Sequence, residues 1–112
     1  MPRDPLVYLW DVREACDAVI GFVSSASYET FLDSPMMQAA VERKPEIIGE
    51  AMSQLRKLDA ELAAKVPEIE KIIGFRNILV HAYHAVDYEV VWRIIHTSVP
   101  PLRETAASLL DE

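Results

Sequence analysis

The segment Ile72-Ile73-Gly74-Phe75-Arg76-Asn77-Ile78-Leu79-Val80-His81-Ala82-Tyr83 carries its apolar and polar residues at helical spacing. At 100° per residue, Ile72, Phe75, Ile78, Leu79 and Ala82 share one side, which reads as a buried face. With Arg76 as the zero of angle, Tyr83 lies roughly 20° behind it, His84 about 80° ahead, Asn77 about 100° and His81 about 140°. The polar groups therefore occupy the opposite half. Ile73 and Val80 fall within that half, roughly 40 to 60° from Arg76. Two branched apolar side chains suit a freely solvated surface poorly, so this face is expected to be covered, most simply by a second copy of the chain.

The same helical reading extends outward. Asp4-Pro5 is a helix start, with Asp as N-cap and Pro at the first helical position. Leu9, Val12, Cys16, Val19 and Val23 then form a bundle-facing stripe that ends at Ser24-Ser25. Ser27 caps a short turn of helix through Phe31-Leu32. Ser34-Pro35 opens a long second helix lined by Met36, Ala40, Val41, Ile47, Ile48, Ala51, Leu55 and Leu58. Pro45 removes one backbone hydrogen bond there and is expected to kink it. Pro67 marks the start of the Arg76 helix, Asp87 caps the next, and Pro100-Pro101 sets off a final short helix ending at Leu109-Leu110. No alternating strand pattern or repeat appears. The fold expected is all-α, an up-down bundle of four to five helices in one domain, residues 1–112.

Composition narrows the function. The chain has 112 residues, 51% of them hydrophobic and 26% charged, which suits one globular core and argues against disorder. The lone Cys16 sits in an apolar stripe and reads as a buried thiol rather than a nucleophile. The four methionines read as core filler, and the Trp10 and Trp92 rings as packing groups. No apolar run is long enough to cross a bilayer and no signal-peptide pattern opens the chain, so a cytoplasmic protein without membrane contact is expected. A net charge of −7 opposes general nucleic-acid binding, which draws its affinity from neutralising phosphates. Contact with RNA therefore requires a local basic site.

Arg76 and His81 offer such a site. Arg76 supplies a permanent cation with a planar fork matched to phosphate oxygens, and His81 exchanges a proton near neutral pH. Asn77, four residues before His81, is placed to orient its ring. His84 and Arg93 are further candidates for RNA contact. The set points to phosphoryl chemistry without a metal, and a purely structural polar network is the competing interpretation. A metal site is a weaker rival, because His81 and His84 find no third ligand at helical spacing beyond Asp87. His96, beside Arg93, shows no partner and reads as a surface or interface histidine.

The pattern RxxxxHxY, filled by Arg76, His81 and Tyr83, resembles the signature of the HepT family of HEPN-domain toxins. Glu46-Ile47-Ile48-Gly49-Glu50-Ala51 is similar to that family's EIIGEA helix. Ile72-Ile73-Gly74-Phe75-Arg76-Asn77 resembles its IIGxRN lead-in, and Val86-Asp87-Tyr88-Glu89-Val90-Val91-Trp92 its VDxEVVW continuation. Pro45, and His84-Ala85 where an aromatic residue and a glycine are usual, depart from the pattern. The resemblance implies a two-fold homodimer and a metal-independent endoribonuclease that needs no cofactor, with Arg76 and His81 catalytic at a composite site. It also implies a type VII-like toxin–antitoxin module, in which an MNT-type nucleotidyltransferase antitoxin transfers AMP to Tyr83. The alternative is a non-catalytic helical partner of such a transferase.

Overall fold

The computed structural model describes residues 4–81 and 87–111, with side chains given outside 78–81. Among the described residues there are seven helices and no strand. The first is α1 (Pro5–Val23), whose N-cap Asp4 accepts a hydrogen bond from the backbone N–H of Leu6 at 2.9 Å. Two helices follow, α2 (Tyr28–Leu32) and α3 (Pro35–Leu58), capped by the hydroxyls of Ser27 and Ser34. The short α4 (Ala60–Ala63) escaped the sequence reading, although Asp59 signals it by accepting from the N–H of Leu62. Next come α5 (Ile69–His81), α6 (Tyr88–Thr97) and α7 (Val99–Leu110). Five longer helices thus form the expected all-α bundle, and the two short ones are single capped turns between them.

Helix α1 is the central element. It packs along α3 on one side and α7 on the other. Its stripe of Leu9, Val12, Cys16 and Val19 is fully buried, and it meets Val41, Met52 and Leu55 of α3 and Leu102, Ala106 and Leu109 of α7 in one core. Burial of such side chains contributes roughly 1.5–3 kcal/mol each. Phe31 of α2 closes one end, stacked on Trp92 at 5.1 Å and meeting Tyr88 edge-on at 5.7 Å. Those two aromatics fix α6. Arg103 of α7 donates to Asp17 of α1 at 2.9 Å, a link between two helices near the chain ends.

Several core assignments shift. Met36 is 84% exposed and Leu58 is exposed as well, because they sit in the first and last turns of α3, beyond the neighbouring helices. Of the described methionines, Met52 alone is fully buried core filler, with Met37 packed at its margin. Trp10 is exposed rather than packed. Helix α3 continues through Pro45, which is buried. Helix α5 begins two residues after Pro67, and Glu68 between them adopts φ 59°, a left-handed conformation that costs a non-glycine residue about 1 kcal/mol or more.

Candidate active site at the junction of α3 and α5

Helix α5 lies on α3, and Gly49 is the reason it can lie so close. A Cβ at position 49 would fall 2.2 Å from the Cβ of Arg76 and 2.7 Å from its Cγ. The missing side chain is therefore the seat of Arg76. Sequence periodicity puts Arg76 in the polar half but at its edge, roughly 40° from Ile72, and the structure lays its stem onto α3. Ile72 and Phe75 are only half-buried in consequence. They line an apolar groove of about 170 Å³ with Pro45, Ile48, Ile95 and Leu102. Helical angles fix which residues share a side; they do not fix which arc meets the neighbour.

From that seat the guanidinium is held by a line of side chains. Its Nη2 pairs with Oε2 of Glu50 at 3.2 Å, and Nη1 donates to Oδ1 of Asn77 at 2.9 Å. Gln54 in turn donates through Nε2 to the other oxygen of Glu50 at 3.0 Å. Glu50 and Gln54 are one turn apart on α3, so the helix itself sets this spacing. The Arg76 side chain retains 30% of its exposure and that of Glu50 51%, so the pair adds at most about 1 kcal/mol to stability. Its consequence is orientation rather than stability. The Nε of Arg76 is buried and has no hydrogen-bond partner among the described residues.

Arg76 borders an open cleft of about 350 Å³. One wall is α1, through Tyr8 and Asp11. The floor is α3, through Arg43, Glu46, Ile47, Glu50, Ala51 and Gln54, which recur on one face of that helix. Arg43 and Glu46 pair at 3.3 Å near the far end. The cleft thus mixes three carboxylates with two guanidinium groups. Among the described residues, no cluster of three His, Cys, Asp or Glu side chains is arranged as a metal site.

The other sequence-stated candidates fall as follows. Asn77 is exposed, and its side-chain oxygen is engaged by Arg76; contact with the His81 ring lies outside the described side chains. His81 is the last residue of α5, five residues beyond Arg76 and roughly 7.5 Å farther along the axis. Tyr83 and His84 lie outside the described residues. Arg93 is exposed on α6 and is not among the residues that line the cleft. Ile73 is half-buried and packs against the core of its own bundle; the side chain of Val80 is outside the described set. His96 has partners after all: its ring lies 4.4 Å from that of Trp92, and its Nδ1 sits 2.8 Å from the Trp92 carbonyl oxygen. Glu50 and Gln54 were missed as site residues. Their one legible sign was a Glu four residues before a Gln, beginning immediately after a glycine.

Fold and site together define a small all-α domain with an arginine anchored at the rim of a polar cleft. Residues 12–109 match the family described as "Ribonuclease HepT-like". A protein of Methanocaldococcus jannaschii named "Putative RNase MJ1380" is 35% identical over 104 residues, 91% of this chain and 93% of that one. "Putative RNase TTE0752" of Caldanaerobacter subterraneus is 34% identical over 110 residues, 98% and 97% of the two chains. "Probable ribonuclease HepT" of Thermococcus cleftensis is 34% identical over 103 residues, 92% and 93%. The chain belongs to the HepT-like ribonuclease family. No solved structure matches it.

Proposed function

We propose that this protein is an endoribonuclease toxin that cleaves RNA without a metal ion, at a site built from the α5 helices of two protomers. The observation that carries the reading is the anchored Arg76: a guanidinium held by Glu50 and Asn77 at the rim of an open cleft, with His81 farther along the same helix. RNA contains its own nucleophile. A neutral His81 takes the proton of the 2′-hydroxyl, the oxygen attacks phosphorus, and the 5′-oxygen leaves with a proton from the protonated His81 of the other protomer. The products are a 2′,3′-cyclic phosphate and a 5′-hydroxyl. Arg76 from each protomer stabilises the charge that builds on the phosphorane.

A two-fold axis is needed because one chain offers one His81 for two proton transfers. Ile73 and Val80 are assigned to that interface, and Val80→Glu should lower the mass in solution from dimer to monomer. His84 and Arg93 are assigned to the RNA backbone. Tyr83 is assigned as the acceptor of AMP from a nucleotidyltransferase antitoxin, where added bulk and negative charge would close the cationic site. A matched transferase with ATP should modify the parent and leave Tyr83→Phe unmodified.

The decisive assay is cleavage of total RNA and tRNA in chelator by the parent and by His81→Ala. Cyclic phosphate ends from the parent alone support the reading. A strict requirement for a divalent ion overturns it. The second reading, a helical scaffold for a nucleotidyltransferase, is favoured by the net charge of −7 and by the carboxylates in the cleft. That reading requires transferase binding by a parent protein that leaves every RNA intact.

A further inference from the structure

The cleft extends well past Arg76, and its far part has no task in the chemistry above. Its volume, about 350 Å³, is near the lower end of the roughly 300–1,000 Å³ typical of small-molecule sites. That is room for one nucleoside. Cations stand at both ends: Arg76 beside Glu50, and Arg43, seven residues earlier on α3 and therefore roughly 10 Å away along the helix. Glu46 lies between Arg43 and Glu50 along α3, and Tyr8 and Asp11 form the α1 wall. Tyr8 is half-buried against the core, which gives the wall a rigid aromatic group.

We propose that this cleft is the base subsite of the enzyme, and that it selects bases carrying an exocyclic amino group, namely adenine, cytosine and guanine, over uracil. The inference rests on the ribonuclease reading and adds its specificity. An ionised carboxylate is only an acceptor, with more lone-pair sites than one arginine fills. Glu46 donates nothing to a base edge even while Arg43 holds it at 3.3 Å. Amino groups of cytosine or adenine donate to such a wall, as Glu and Asp do accept from cytosine in nucleic-acid readout. Uracil has no amino group and offers only its N3–H, flanked on both sides by carbonyl oxygens that meet the carboxylate oxygen against oxygen. Tyr8 supplies the stacking surface that unpaired bases take on aromatic side chains. Arg43 meets the phosphate on the side of the base away from the cut.

The test uses RNA oligonucleotides that differ at one position beside the cleavage site, with cut positions mapped by sequencing, for the parent, Glu46→Gln and Tyr8→Leu. The parent should cut beside adenine or cytosine roughly tenfold faster than beside uracil. Glu46→Gln, which adds a donor, should bring uracil within two- to threefold of the others. Tyr8→Leu should slow cleavage beside every base about tenfold or more. Identical base preferences in parent and Glu46→Gln would overturn the proposal while leaving the ribonuclease reading intact. If the parent cuts no RNA, the ribonuclease reading fails by itself and equilibrium dialysis decides the subsite. CMP and AMP bound in preference to UMP, with binding lost in Tyr8→Leu, support it; equal or absent binding rejects it.

Discussion

Gly49→Ala tests whether the seat of Arg76 is as tight as the geometry says. The added Cβ would lie 2.2 Å from the Cβ of Arg76, against roughly 3.5–4.0 Å for carbon atoms in contact. About 1.5 Å of separation is needed, and no rotamer supplies it, because both atoms are fixed to helix backbones. Helix α5 must move off α3. Overpacking of this kind costs 1–3 kcal/mol, and a clash between two backbone-anchored atoms belongs near ~3. Alanine returns about 1 kcal/mol of helix propensity, leaving a net loss of ~2 kcal/mol and a fall in Tm of about 8–10 °C for a chain of this size. The displacement also breaks the 3.2 Å contact with Glu50, and misplacement by about 1 Å can cost a catalytic group a hundredfold in rate. Thermal unfolding by circular dichroism and RNA cleavage are the assays.

The control is Gly21→Ala, where a Cβ meets nothing within 4 Å and the propensity gain of about 0.5–1 kcal/mol should appear alone. The double variant Gly49→Ala/Arg76→Gly removes the clashing atom. It should unfold at a higher temperature than Gly49→Ala despite its extra helical glycine, yet remain inactive. A Gly49→Ala protein as stable as Gly21→Ala, with parental cleavage, would refute the reasoning.

Arg76→Lys keeps the charge but loses the fork that reaches Glu50 and Asn77 together. It should lower cleavage by about 10² to 10³ with a Tm within about 4 °C of the parent, since the pair is partly exposed; cleavage within threefold of the parent would remove Arg76 from the chemistry. Asp87→Ala deletes the acceptor of the Glu89 and Val90 N–H groups at 3.0 and 3.4 Å. A loss of about 1 kcal/mol is expected on urea unfolding. Burial, reinforced by Asp17, pushes the Cys16 thiol from 9.0 up to about 12. Below 9 both folded and unfolded chains keep the proton and this group adds no pH dependence. Between about 9 and 12 only the unfolded chain ionises, so stability should fall by up to ~1.4 kcal/mol per pH unit. Cys16→Ala should flatten that slope; an unchanged slope would assign the loss to other groups.

The relation between sequence and fold is uneven along the chain, and the unevenness has causes. Caps and prolines are local devices, so Asp4-Pro5, Ser27, Ser34-Pro35 and Asp87 mark helix starts that the structure uses. The stripe of α1 is legible for a related reason: flanked by α3 and α7, it has an apolar arc matched to its neighbours. Helix α5 is harder to read. It rests mainly on α3, and a helix with one principal neighbour can roll without exposing much more apolar surface. Met36 and Leu58 are misleading in another way, since periodicity does not record that a helix has run past the end of the bundle.

The sequence by itself determined the helical class, the helix starts, the α1 stripe and the family, all of which depend on spacing within short segments. It also singled out Arg76, because a charged fork and a histidine five residues apart are visible without coordinates. Only the tertiary structure decided that Arg76 stands on Gly49, that Glu50 and Gln54 orient it, and that Tyr8, Arg43 and Glu46 complete a cleft around it. Those residues come from α1, α3 and α5. Their meeting depends on how closely two helices approach, and here that distance is set by the absence of a single methyl group.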